Sequence, residues 1–170
     1  MTEVIGSIDN AGNLKGIYCL IFTKSGILKF ETMSHKEVKF EMYKARMMGG
    51  VSSFPSGSGL NAYNIQQEQM ESMILENLGR GQDFENDLDS YLEKKPAEYE
   101  SVSYENIMEA ELSSGTALTL PHVLFKLNDG HMKFHLLHGN FHGRGKIPED
   151  VFKKYEDTLR STLQDRFVLK

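Results

Sequence analysis

Two blocks of strand-like sequence, residues 3–31 and 101–137, are separated by about seventy residues that read as helix and loop. One amphipathic helix then closes the chain at 148–163. This order describes an α+β chain: a small β-rich domain with a helical insertion, about 33–97, in its first half. With 170 residues, one domain is expected over 1–170, with room for a core but hardly for two.

The first block reads as a three-strand antiparallel meander. Val4–Asp9 alternates loosely and runs into Asn10-Ala11-Gly12-Asn13, a cluster of turn formers. Gly16–Thr23 is a continuous apolar run, Ile17 to Phe22, as a strand buried on both faces requires. Lys24-Ser25-Gly26 supplies a tight turn, and Ile27–Thr32 returns.

The period then changes to that of a helix. Ser34 and Glu37 have the spacing of a capping box, ahead of Val38, Met42, Ala45 and Met48. Residues 49–59 are dominated by Gly, Ser and Pro, the composition of a loop. Ile65, Met70, Met73, Ile74 and Leu78 line a second helix, expected to end at Gly79. Phe84, Leu88, Tyr91 and Leu92 mark a third, ending before Pro96.

Strand character resumes with the turn Ser103–Asn106 and the strand Ile107–Leu112, where Ile107, Glu109 and Glu111 alternate with Met108, Ala110 and Leu112. Leu118–Leu127 follows, and its Pro121 suggests an edge or a bulge. Asn128-Asp129-Gly130 is a strong hairpin signal, and His131–Leu137 is the return strand. Pro148, Glu149 and Asp150 open the last helix, with Val151, Phe152, Tyr155, Leu159 and Leu163 as its apolar stripe. Arg166–Leu169 can add a short strand.

The run Ser103-Tyr104-Glu105-Asn106-Ile107, then Glu109–Leu112, a hydrophobic strand, Asn128-Asp129-Gly130, a further strand and a terminal helix resembles the second half of prokaryotic pleckstrin-homology-like (PH-like) domains. Gly16–Phe30 is similar to the hairpin those domains carry near their start. The resemblance implies a bent antiparallel sheet or partly open barrel, capped by the C-terminal helix, with the helical insertion after its first strands. It also implies a binding or scaffold module without a shared active site. Members that bind phosphoinositides use basic residues in the first hairpin loop. Here that loop is Asn10–Asn13 with only Lys15 nearby, a departure that argues against headgroup binding.

Charge narrows the partners. The net charge of −5 is concentrated in residues 49–100, which carry −7, while 1–48 carry +2 and 101–170 balance. An acidic surface repels phosphates, which argues against nucleic acid and against anionic membrane surfaces, and leaves a basic protein partner open. No stretch reaches a membrane span, and Met1-Thr2-Glu3 does not open a secretory signal. A lone cysteine, Cys19, sits in an apolar run as a small buried hydrophobe, and a cytoplasmic location is expected.

The histidines are the main chemical candidates. His131, His135, His138 and His142 fall within twelve residues, with His122 across the hairpin. Zinc needs three or four such donors at about 2 Å, whereas strand positions four apart lie about 13 Å from each other. Arg144 and Lys146, before the last helix, are candidates for holding an anion, although the surrounding Gly-rich stretch fails the Walker pattern at Asn140 and Ile147. Glu109 and Glu111 read as a solvated strand face. The expected function is a non-catalytic PH-like module for protein–protein interaction or self-association, with no cofactor. The alternative is a metal-binding protein or metal-dependent hydrolase using the 131–142 histidines.

Overall fold

The computed structural model describes residues 1–40, 58–94, 98–116, 119–137 and 147–170. Among these residues eight strands form one sheet that is not closed: β1 (Val4–Gly12), β2 (Gly16–Thr23), β3 (Gly26–Ser34), β4 (Tyr99–Ser103), β5 (Ile107–Ser113), β6 (His122–Leu127), β7 (Gly130–Leu136) and β8 (Phe167–Leu169). Their order is β4-β3-β2-β1-β7-β6-β5-β8. Every neighbouring pair is antiparallel except β5 with β8. Helices α1 (Ser58–Asn86) and α2 (Leu88–Lys94) fall between β3 and β4, and α3 (Glu149–Leu163) precedes β8. The α+β class and the antiparallel meander of β1, β2 and β3 are as the sequence leads one to expect. Among the described residues no helix is long and apolar enough to cross a membrane.

β2 explains the layering. All eight of its residues are buried. Tyr18, Leu20 and Phe22 enter the main core with Phe125, Phe134, Tyr155 and Leu159. Ile17, Cys19 and Ile21, on the opposite face, meet the helical layer. There Met70 and Met73 of α1 cover Ile17, and Phe84 of α1 with Leu88 of α2 covers Cys19 and Ile21. Phe30 of β3 is fully buried on this outer face. Its ring stacks on Phe84 at 4.6 Å, with Tyr99 at 5.5 Å and Tyr91 at 6.3 Å.

α3 closes the main core where the sheet is weakest. β1 pairs with β7 only at Ala11–Leu136 and Gly12–His135. Over the rest of β1 the helix supplies the contact: the Tyr155 hydroxyl donates to the Asp9 carbonyl at 3.3 Å. Gly6 lies so close that a Cβ there would sit 2.3 Å from Thr158 Oγ1. Beyond α3, Arg166 donates to the carbonyls of Tyr104 and Ile107, setting β8 beside β5.

The capping box forms: the Ser34 N–H donates to Glu37 Oε2 at 2.7 Å and the Glu37 N–H donates to Ser34 Oγ at 3.3 Å, opening a helical segment over 35–40. Residues Met42, Ala45 and Met48, the Gly/Ser-rich stretch through Gly57 and the Ile65 side chain lie outside the described parts.

Four expectations are corrected. Asn10–Gly12 is not a turn: it stays in β1 through a bulge between Ile8 and Ala11, with Asn10 at φ 51°. The turn begins at Asn13, whose side chain accepts from the N–H groups of Lys15 and Gly16 at 2.8 and 3.2 Å. Gly79 does not end its helix; α1 runs on to Asn86 and takes Phe84 with it. A bulge between Ile107 and Glu109 places Ile107 in the core with Ala110 and Leu112 instead of beside the two glutamates. β6 is an interior strand, because Pro121 stands just before it; the Pro121 carbonyl still accepts from Leu136 N–H at 2.9 Å.

Truncation of the ring that joins the two layers is the direct test of this packing. Phe30→Ala is expected to lower unfolding stability by about 3–5 kcal/mol in urea titration, the range of a fully buried Phe→Ala change. A loss below about 1 kcal/mol would mean that the helices do not cover β3.

Candidate functional site

The hairpin β6–β7 spreads its histidines along one line. His122 pairs directly with His135, their ring centroids 6.4 Å apart, while His131 pairs with Lys126 toward the turn. His122 Nδ1 lies 2.9 Å from the Leu120 carbonyl, and its Nε2 lies 3.7 Å from Glu111 Oε1. Glu111 is held by Lys170 Nζ at 2.6 Å, which keeps its carboxyl below the usual range. His135 is half-buried, and its Nδ1 is enclosed with no hydrogen-bond partner among the described residues. Burial, reinforced by Lys133 and His122, lowers its pKa. His138, His142, Arg144 and Lys146 lie outside the described residues.

Among the described residues, the only three metal-ligating side chains with donor atoms within 4.8 Å of one another are Asp9, Cys19 and Glu85. The sequence reading passed over this group, and it lies between sheet and α1. The Cys19 thiol donates to Asp9 Oδ1 at 3.3 Å. Burial raises the Asp9 carboxyl above its ordinary range, and Glu85 adds to the effect. Burial likewise pushes the Cys19 thiol well up, with Asp9 next among the causes, so the sulfur stays protonated and is a poor nucleophile. Lys154 offsets part of the negative charge on Asp9 while donating to Ser7 Oγ at 3.4 Å. α1 passes this group at Gly81, where a Cβ would stand 2.6 Å from Asp9 Oδ1 and 3.2 Å from Cys19 Sγ. The only local sign is that Asp9 is the one charged residue of β1.

The outward side of α1 has another character. Met70, Met73, Asn77 and Gly81 are buried in one helical row, whereas Glu68, Glu71, Ser72, Leu75 and Glu76 are exposed. Leu75 is 67% accessible. Glu76 pairs with Arg80 at 2.6 Å, and Arg80 also donates to the Thr32 carbonyl of β3. The helix is therefore fixed to the sheet by one side and offers acids around an exposed leucine on the other.

A groove of about 810 Å³ opens beside the turn between β1 and β2. Its walls come from Gly12–Ile17, from β7 and from Lys29, His35 and Val38, with Met70 and Met73 of α1 on the helical side. The His35 N–H donates to the Lys15 carbonyl at 3.0 Å, tying the turn to the helical segment that follows β3. Lys29 is only 11% exposed, bonded to Glu100 at 2.6 Å and 4.9 Å above the Tyr18 ring.

Comparison with family models, with curated proteins and with solved structures found no match.

The Asp9 environment makes a pH prediction. A raised carboxyl pKa means that the folded chain holds a proton the unfolded chain releases, so this group's contribution to stability falls as pH rises from about 4, the unfolded value, through the folded value. Asp9→Asn, which keeps an acceptor for Cys19, is expected to be more stable than the parent at pH 7 and to lose that advantage at pH 3.5. Denaturant titrations at the two pH values check this; a difference independent of pH refutes it.

Proposed function

We propose that the chain is a non-catalytic binding module of PH-like architecture, whose helical insertion presents a docking surface to a protein partner. The architecture is supported by the four-strand run β1–β4, the three-strand run β5–β7 joined to it through β1, and a helix packed over the thin seam. The observation that carries the function is the two-sidedness of α1: one face is locked to the sheet, and the other holds Leu75 among Glu68, Glu71 and Glu76. An exposed aliphatic side chain ringed by acids fits a partner with an apolar pocket and a basic rim. The same face of a second copy would bring acid against acid, so a basic partner is favoured over self-association.

Capture from source-cell lysate by the full chain should recover a partner that Leu75→Glu and Glu68→Lys variants lose, with thermal unfolding unchanged because both side chains are exposed. The captured complex should weaken between 50 and 300 mM salt, since rim charges are screened over about 8–10 Å. Equal recovery by all three proteins would remove α1 as the docking surface. A dimer in light scattering that the variants abolish would point to self-association.

A further inference from the structure

We propose that the groove beside the β1–β2 turn is a binding site for a small amphipathic anion, a medium- to long-chain carboxylate. The proposal is independent of the docking face on α1. A volume of about 810 Å³ lies within the range of about 300–1,000 Å³ typical of small-molecule sites.

Its lining is divided by chemistry. Ile17, Val38, Met70, Met73 and Leu137 make an apolar side, and two of these are methionines, whose unbranched side chains adapt to an aliphatic guest. Lys15, Lys29 and Lys133 bring positive charge, against one lining carboxylate among the described residues, Glu100, which Lys29 already engages. Lys15 and Lys133 are exposed and reach the groove from the turn and from β7. His135 lines the same wall, and its enclosed Nδ1 has no hydrogen-bond partner among the described residues.

A cationic groove stands out in a chain of net charge −5. An anion repelled by the acids of α1 is drawn to it, because a concave site focuses the field of its own charges. A wholly apolar guest would make no use of Lys15 and Lys133, and a wholly polar one would leave the aliphatic side wet. One charged head on one aliphatic body satisfies both.

The probe is dodecanoate below its micelle concentration, with its methyl ester as the neutral control, titrated by calorimetry into the full chain. Saturable 1:1 binding of dodecanoate is expected, with the ester at least tenfold weaker. Lys15→Glu/Lys133→Glu should weaken dodecanoate at least tenfold at an unchanged melting temperature. The ε-methyl NMR signals of Met70 and Met73 should shift on addition of dodecanoate. Equal affinity for acid and ester, or indifference to the charge reversals, overturns recognition of an anion. Binding that leaves both methionine signals in place puts the ligand elsewhere, and absence of saturable binding ends the proposal. None of these results bears on the α1 docking face.

Discussion

Burial of β2 on both faces is the constraint from which the architecture follows. An alternating strand would need one apolar layer, but Gly16–Thr23 has apolar side chains pointing both ways and therefore needs two. The strands β5–β7 and α3 supply the inner layer, and α1 with α2 supplies the outer one. The helical insertion is thus a structural half of the domain. Without it Ile17, Ile21 and the ring of Phe30 would face water, at a cost of about 1.5–3 kcal/mol for each side chain so exposed.

Charge follows the same layering. Glu68, Glu71 and Glu76 lie on the side of α1 that the sheet does not use, Glu85 of the same helix meets Asp9 and Cys19, and the groove at the helix margin gathers lysines from the β1–β2 turn, β3 and β7. Two surfaces of opposite sign meet along one helix, whose inner methionines belong to the groove and whose outer glutamates belong to solvent. Such separation would let two ligands of opposite charge be told apart without competing contacts.

What the sequence revealed and what it concealed have physical reasons. The apolar run at β2, the Asn-Asp-Gly hairpin and the Ser34–Glu37 box are local signals, and each stands where it was read. The helix expected to end at Gly79 runs on because a glycine also fits inside a helix: Gly79 has open space around it, and Gly81, two residues on, is demanded by the close passage of the helix over Asp9 and Cys19. Asn10 looks like a turn residue because its left-handed conformation is a turn property, here used inside a bulge. The pairing of His122 with His135 follows from the hairpin register. Asp9, Cys19 and Glu85 come from three elements, and the groove from more, so no spacing along the chain announces them.

The thin seam between β1 and β7 also bears on how the chain finds its fold. β1–β3 and β5–β7 are each built from neighbours in sequence and can form early, since closing short loops costs little entropy. The two rungs that unite them, Ala11–Leu136 and Gly12–His135, join residues far apart along the chain. β4 must meet β3 across the entire insertion. Assembly therefore depends on two long-range closures with few backbone bonds to drive the first of them, and the side chains of α3 must arrive for that closure to hold. In the folded chain the two halves of the sheet are therefore held together as much by α3, through Tyr155 on the Asp9 carbonyl, as by the two rungs of the seam.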